Sequence, residues 1–329
     1  MNAAPTTLSA ARSPWVVLAF SLIGISFAGP LVRLSNSTPL VIAAWRLGFS
    51  LLIIAAILLA SGEWRTWRGL SRRDMGLACG AGILLALHFW SWNASIGYTT
   101  VAASVSLVNT QPVIIALVSA RWLGERATRT QWIGIVIAVC GALVVGLADV
   151  PGGLSGIFAA LGFADSATGM NQDAARSRAL FGDLLAFVGA LTAAMYFLIG
   201  RRLRRTLALW PYVGLVYGAA FAGCIVLALL TGESLAAPPP RELAIFAGLA
   251  VGPMLLGHTG MNWALGHLPA YVVNLTMLGE PIGATILAAL LPGIAEVPGA
   301  GTLVGGAMVL GGVLLAAQRA STPAGAEPP

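Results

Sequence analysis

Ten long apolar runs, separated by short polar segments, constrain this chain more than any other feature. Each run is close to the ~20 residues that an α-helix needs to cross a ~30 Å hydrocarbon core. Inside a bilayer a segment must satisfy its own backbone hydrogen bonds, and a single run of this length does so as a helix. The sequence therefore predicts an all-α membrane protein with ten transmembrane helices, over residues 15–31, 39–60, 74–95, 101–123, 131–147, 183–199, 210–230, 243–263, 270–291 and 302–317.

The charge content supports this assignment. Charged residues make up 9% of the chain and hydrophobic residues 58%, whereas a soluble domain carries roughly 25% charged residues. A surface so poor in charge must be solvated by lipid. The net charge of +6 would suggest nucleic acid in a soluble protein. Here all 18 basic residues are arginines that cluster between the apolar runs, so we expect a bilayer and no nucleic acid as partner.

The arginines predict how the chain is oriented, because cytoplasmic loops of membrane proteins are enriched in Lys and Arg. With the N-terminus inside, thirteen arginines are cytoplasmic and four are external, and Arg46 lies within a run. We therefore expect a multi-pass protein of the inner membrane with both termini in the cytoplasm. The external arginines would be Arg33, Arg176, Arg178 and Arg241.

The second half of the chain repeats the first. Equivalent residues are Asn93, Gly97, Pro112, Glu125, Gly134 and Gly141 in one copy and Asn262, Gly266, Pro281, Glu296, Gly305 and Gly312 in the other. Because each copy has an odd number of spans, the two must insert in opposite senses. This inverted-topology repeat is typical of secondary transporters. The predicted units are residues 15–147 and 182–318, joined by a linker over 148–181 and flanked by disordered ends, 1–14 and 319–329.

Two prolines, Pro112 and Pro281, interrupt the fourth and ninth runs at matching places. Proline removes one helical hydrogen bond and clashes with the carbonyl four residues back. In a membrane such a break survives where it faces protein or a water-filled cavity. Matched breaks in two halves point to a transporter's binding site; the alternative is a pair of tolerated kinks.

Polar side chains accompany both breaks. Glu280 directly precedes Pro281, and its counterpart in the first copy is Gln111. Asn109 and Asn274 extend the polar faces of the same runs. A carboxylate in mid-membrane costs a few kcal/mol by insertion scales, so Glu280 must face the interior, be paired or be protonated. It either binds a substrate amine or a proton, or it holds helices together through hydrogen bonds.

Three further ionisable residues lie within runs. Arg46 either snorkels toward the interface or pairs across the bundle, and one hypothesis places it in the same polar interior as Glu280. His88 and His258 lie within the third and eighth runs, and Asn262 follows His258 at helical spacing. Histidine titrates in the range useful for proton coupling. The alternative for each histidine is a buried residue with satisfied hydrogen bonds.

Aromatic residues accompany these polar positions. Trp45, Trp92, Tyr196 and Trp263 lie beside polar residues and are candidates to line a cavity. Other aromatics at the ends of runs fit the role of interface anchors. The glycines of the fifth and tenth runs allow close helix packing, so we interpret these two spans as structural.

No motif for catalysis, a cofactor or a metal is present. We find no phosphate-binding glycine loop, nucleophile elbow or metal-protease motif. Three cysteines, all inside apolar runs and widely spaced, do not suggest a disulfide framework or metal cluster. We therefore expect no enzyme activity, no catalytic residue, no cofactor and no metal.

The ordered set of short motifs resembles the EamA-type transporters of the drug/metabolite transporter superfamily, over roughly residues 15–318. The motifs are Ala44-Trp45-Arg46-Leu47, Gln111-Pro112, Leu123-Gly124-Glu125, Gly182-Asp183-Leu184-Leu185, Glu280-Pro281 and the spaced glycines. The resemblance implies a ten-helix bundle in which spans one to four and six to nine surround a central cavity. It also implies export of metabolites such as amino acids, or movement of drug-like compounds. Departures are the inserted Pro292-Gly293 before Glu296 and the long linker.

The sequence thus favours a secondary transporter that moves a small amphipathic metabolite by alternating access, as a monomer or homodimer. One alternative is a membrane-embedded enzyme acting on a lipid-linked substrate, which would need acidic or histidine residues converging at one membrane face. Another is a scaffold that does not transport, which would have a dry interior.

Overall fold

The computed structural model describes residues 13–98, 104, 107–148, 170–290 and 300–317, and no β-strand occurs among them. In the first half the helices are α1 (Pro14–Ser26), α2 (Ala28–Leu34), α3 (Pro39–Ser61), a 3₁₀ turn (Glu63–Gly69), α4 (Arg72–Ser95), α5 (Gln111–Trp122) and α6 (Arg129–Ala148). In the second half they are α7 (Met170–Leu203), α8 (Leu209–Thr231), α9 (Pro240–Leu249), a π-helix (Ala250–His258), α10 (Thr259–Ala264), α11 (Ala270–Thr276), a 3₁₀ turn (Met277–Gly279), α12 (Glu280–Leu290) and α13 (Ala300–Ala317).

Within these described ranges, six helical segments are long and apolar enough to cross a membrane. They are Pro14–Leu34, Pro39–Ser61, Arg72–Ser95, Leu180–Leu203, Leu209–Thr231 and Pro240–Ala264. Apolar helices also occur where the remaining four spans are predicted, but they are shorter or broken. The chain is therefore a multi-pass membrane protein, and the part that the structure describes is all-helical.

Several predicted runs contain breaks. The first run is divided at Phe27 into α1 and α2. The eighth run contains the π-helix, which carries Pro253 in its interior. The ninth run is divided by a 3₁₀ turn, and Glu280 begins the helix that follows. Pro112 lies in the first turn of α5, where its missing N–H group has no helical acceptor to lose.

Helix α7 begins at Met170, inside the segment predicted as a linker, and runs without interruption to Leu203. Some predictions fall outside the described residues. These are the remainder of the linker from 149 to 169, the Pro292-Gly293 insertion with Glu296, and the two chain ends, 1–12 and 318–329.

The helices pair across the two halves of the chain. Helix α4 packs on α7 and α8, α1 packs on the π-helix, and α6 packs on α13. One large apolar core joins these elements and includes Leu47 of α3, Phe89 of α4, Val213 of α8 and Met254 of the π-helix. Residues of both halves of the chain therefore pack in the same core.

Contacts between loops define two opposite ends of the bundle. At one end, Glu125 lies between the loop after α7 and the start of α11, and Trp67 Nε1 donates to the carbonyl of Pro211. We call this the arginine-rich end. At the other end, which we call the Glu242 end, the carboxylate of Glu242 joins α9 to the loop before α3.

Candidate functional site

Arg46 of α3 lies at the centre of the bundle with 1% of its surface exposed. Its guanidinium carbon is 3.4 Å from the ring centroid of Phe89, and Nη2 is 4.0 Å from the sulfur of Met254. Its Nε has no hydrogen-bond partner, and no carboxylate in the described part of the chain lies within 4.0 Å. A cation–π contact offsets part of the cost of burying this charge, but the N–H group at Nε is left without an acceptor in the described structure.

Two histidines lie beside Arg46. The ring of His258 is 5.4 Å from that of Phe89 and 6.5 Å from that of His88. His88 Nδ1 is 3.0 Å from the carbonyl of Gly189, so Nδ1 carries the proton of this hydrogen bond. Nδ1 of His258 has no partner among the described residues. The two histidines, far apart in sequence, therefore share one site.

A hydrogen-bond network surrounds Asn262. Its Nδ2 donates to the hydroxyl of Tyr196 and to the carbonyl of His258, and lies 3.4 Å from the hydroxyl of Tyr217. The hydroxyls of Tyr217 and Thr259 are 3.0 Å apart. Oδ1 of Asn262 is buried without a partner in the described structure. The network fixes the orientation of the amide and leaves it one free acceptor.

The nine residues Arg46, His88, Phe89, Tyr196, Tyr217, Met254, His258, Thr259 and Asn262 form one continuous set, which we call the Arg46 cluster. It draws on α3 and α4 from the first half, and on α7, α8, the π-helix and α10 from the second. Buried polar atoms in proteins are normally hydrogen-bonded, so the unpaired atoms here require an explanation. A ligand that receives these groups would supply one.

The π-helix is the local structure that assembles this site. Pro253 lacks an N–H donor, so the regular helical ladder cannot pass through it. The wider turn lets Thr259 Oγ1 donate to the carbonyl of Met254, five residues earlier, at 3.1 Å. π-Helical segments occur frequently at functional sites. Here the segment directs Met254 toward Arg46, and His258 toward Phe89.

Glu280 begins α12 after the 3₁₀ turn. It lies within electrostatic range of Arg46 but not in direct contact with it. The hypothesis that the two residues share a polar interior thus describes two ionisable side chains that lie near each other without a direct contact.

Other predicted site residues are buried outside the Arg46 cluster. Trp92 stacks on His88 with ring centroids 6.4 Å apart. Asn109, Gln111 and Asn274 are buried, and each has at least one side-chain atom without a partner in the described structure. These three belong to the same predicted runs as Pro112 and Pro281.

Two predicted residues are not part of the cluster. Trp45 packs on Phe49 in a separate apolar group with Val41 and Phe246. Trp263 stacks on exposed His267, with ring centroids 4.0 Å apart, near the arginine-rich end. Each side chain points along a different face of its helix from the neighbouring cluster residue.

Polar contacts connect the Arg46 cluster to the arginine-rich end. Arg204 Nε donates to the carbonyl of Asn262 at 2.9 Å, and Arg204 also donates to the carbonyl of Leu207. Partial burial lowers the pKa of Arg204, but a guanidinium stays protonated. The loop after α7 is thereby held against the helix that carries Asn262.

Sequence reasoning missed Met254 and Thr259, and it counted Phe89 and Tyr217 among the aromatics near a cavity without selecting them as site candidates. The signal available for Met254 and Thr259 is Pro253, an unmatched proline within the eighth run. Phe89 and Tyr217 are apolar or amphipathic residues inside apolar runs, and nothing in their local sequence separates them from core residues.

Comparison with known proteins agrees with this architecture. The model of the EamA-like transporter family matches residues 13–147 and again residues 180–318. A protein of Bacillus subtilis (strain 168), the "Uncharacterized transporter YdfC", is 25% identical over 235 residues, which cover 70% of this chain and 67% of that protein. A solved crystal structure superposes with a TM-score of 0.71 at 18% identity, covering 94% of this chain and 98% of its own. The two family matches span most of the chain, which therefore belongs to the EamA-like transporter family.

Proposed function

We propose that the protein is a secondary transporter of the inner membrane that exports small amphipathic metabolites, with amino acids as the first class to test. The observation that carries the proposal is the Arg46 cluster. It is a buried set of charged, polar and aromatic side chains, contributed by both halves of a lipid-embedded bundle. Ionisable residues inside membranes are costly and mark the pathways of substrates and ions.

The cluster offers complementary groups for an amino acid. A guanidinium binds a carboxylate through two parallel hydrogen bonds, and Arg46 Nε has no other partner in the described structure. Glu280 lies in electrostatic range of Arg46 and would face the substrate ammonium group. The rings of Phe89, Tyr196 and His258 would pack on an apolar side chain.

Alternating access would follow from ten spans arranged as an inverted repeat. The contact of α6 with α13 supports this topology. Gly134 lies against Gly312, and Gly141 against Gly305. In the repeat, Gly134 is equivalent to Gly305, and Gly141 is equivalent to Gly312. Each glycine of one copy therefore contacts the counterpart of the other glycine, so the contacts are reciprocal. Such reciprocal contacts arise from a two-fold axis, and they require the two helices to be antiparallel.

The distribution of charge supports the orientation. The loops and helix ends at the arginine-rich end carry Arg65, Arg68, Arg72, Arg73, Arg121, Arg126, Arg129, Arg201, Arg202, Arg204 and Arg205. The helix ends at the Glu242 end that the structure describes carry Arg33, Arg176, Arg178 and Arg241. Because positive charge is retained in the cytoplasm, we assign the arginine-rich end and both termini to the cytoplasmic side.

Transport assays in reconstituted vesicles test this proposal. Vesicles loaded with labelled leucine or phenylalanine should release the amino acid. Adding the labelled amino acid outside the vesicles instead, and measuring its uptake, tests the direction of transport. Arg46→Met should abolish the flux, because a methionine cannot bind a carboxylate. Replacing a buried charge by an apolar side chain of similar volume is often tolerated, so this variant should still fold.

The matched control is Arg33→Met, which removes an exposed arginine outside the Arg46 cluster and should retain flux. Repeating the assay with a pH gradient tests whether transport is coupled to protons, and repeating it in His88→Gln and Glu280→Gln tests whether either residue carries the coupling. Folded wild-type protein that moves no amino acid would contradict the substrate class, and equal flux in wild type and Arg46→Met would contradict the role of the cluster.

A further inference from the structure

A second feature lies on the lipid-facing side of the bundle, away from the Arg46 cluster. It is a groove of about 410 Å³ at the arginine-rich end, between α3, α8 and the 3₁₀ turn Glu63–Gly69. Its lining is apolar and includes Ile54, Ala55, Leu58, Trp64, Trp67 and Gly214. We propose that this groove binds an anionic phospholipid, with an acyl chain in the groove and the headgroup phosphate on Arg65 and Arg68.

The local backbone creates the groove. Gly62 has a φ of 72°, which ends α3 in the left-handed region and turns the chain into the 3₁₀ segment. Trp67 Nε1 then donates to the carbonyl of Pro211 at 3.0 Å, which fixes the turn against α8. Gly214 lets Leu58 and Trp67 pack directly on α8, because a Cβ atom there would lie 2.8 Å from Leu58 Cδ1 and 3.1 Å from Trp67 Cζ2. Specific contacts therefore fix the walls of the groove.

Positive charge lies at the mouth of the groove. The guanidinium carbons of Arg65 and Arg68 are 5.6 Å and 5.2 Å from the ring centroid of Trp64, which lines the groove. Both arginines are exposed, as are Arg72 and Arg73 nearby. Glu63 and Asp74 are the carboxylates of this segment, and Asp74 accepts a hydrogen bond from Ser71. Four arginines against two carboxylates leave a net positive surface.

This combination matches a lipid better than a soluble anion. Tryptophans lie at the level of the lipid headgroups, and each arginine near an anionic membrane surface adds about 1 kcal/mol of attraction. A free phosphate would not fill the apolar groove, and an uncharged lipid would not pair with the arginines. In a zwitterionic lipid the choline charge offsets that of the phosphate. An anionic phospholipid satisfies both parts of the site.

Native mass spectrometry of the purified protein in a neutral detergent tests the proposal. The probes are phosphatidylglycerol and phosphatidylcholine with identical acyl chains. We expect the wild type to retain phosphatidylglycerol in preference. Removal of two charges in Arg65→Gln/Arg68→Gln should lower that affinity roughly tenfold to thirtyfold. The matched control, Arg126→Gln/Arg129→Gln, removes two exposed arginines away from the groove and should keep the preference.

A second pair of variants tests the apolar part. Ala55→Phe fills the groove and should weaken retention of both lipids, whereas Ala56→Phe, exposed on the same helix but not lining the groove, should not. Equal retention of the two lipids by the wild type would overturn the proposal. So would an equal loss in the Arg126→Gln/Arg129→Gln control, or binding of glycerol phosphate alone as strongly as the lipid. None of these results depends on transport.

Discussion

Tyr212 and Tyr217 lie on the same helix, α8, and both side chains are fully buried. They differ in their hydrogen bonding. The hydroxyl of Tyr217 is 3.0 Å from Thr259 Oγ1 and also meets Asn262, whereas the hydroxyl of Tyr212 has no partner among the described residues. A buried hydroxyl contributes to stability when it is paired and costs free energy when it is not.

The two tyrosines therefore predict opposite responses to loss of the hydroxyl. Tyr217→Phe leaves Thr259 and Asn262 with one partner fewer, and should cost about 1 kcal/mol or more. Thermal unfolding in detergent should show a midpoint lowered by about 2–4 °C. Tyr212→Phe should leave the midpoint unchanged or raise it. If both variants lose the same stability, the hydrogen bonds of Tyr217 do not organise the cluster.

At the scale of elements, the pairing of α6 with α13 depends on glycines. A Cβ atom on Gly141 would lie 2.7 Å from the carbonyl oxygen of Gly305 and 2.7 Å from the amide nitrogen of Val309. Both are backbone atoms of α13, so the helices would have to separate. Gly311 of α13 faces open space instead, because a Cβ atom there would meet no neighbouring atom within 4 Å.

Alanine substitutions at these glycines should separate packing from helix propensity. Gly141→Ala should destabilise the protein, because close helix approach in membranes depends on small residues. Gly311→Ala should be neutral or stabilising, because alanine favours a helix over glycine by about 1 kcal/mol. Thermal unfolding of the two variants measures the difference. A stable Gly141→Ala variant would show that α6 and α13 do not pack this closely.

The helical elements can be predicted from the sequence because run length and hydropathy determine them locally. The polar candidates Arg46, His88, His258 and Asn262 are visible because a polar residue in an apolar run is unusual. The π-helix cannot be predicted from the sequence, because a proline inside a span is equally consistent with a simple kink. The prediction that Trp45 and Trp263 line the cavity rests on proximity in sequence, but adjacent residues on a helix face different directions.

At the scale of the whole molecule, two carboxylates hold opposite ends of the bundle. At the arginine-rich end, Glu125 Oε1 is 2.7 Å from both Arg201 Nε and Arg205 Nη2, and Oε2 accepts from the amide of Ala270. This joins three loops that must separate if the end opens. At the other end, Glu242 accepts hydrogen bonds from Ser35 and Ser37. Under the proposed alternating access, each carboxylate would act as a latch, that is, a contact that holds one end of the bundle closed.

Alternating access predicts that loss of either latch shifts the population toward opening at that end. Glu125→Gln removes a charge-assisted pair worth about 1.5–3 kcal/mol when partly buried, so opening at the arginine-rich end should increase roughly tenfold. Opening can be measured with a cysteine in place of buried Ala264, in a variant that lacks the three native cysteines. The rate at which a membrane-impermeant thiol reagent labels this cysteine reports how often the end opens. Labelling should accelerate in Glu125→Gln and slow in Glu242→Gln, because the two openings exclude each other. Acceleration by both variants would indicate general loosening of the bundle and would contradict an alternating mechanism.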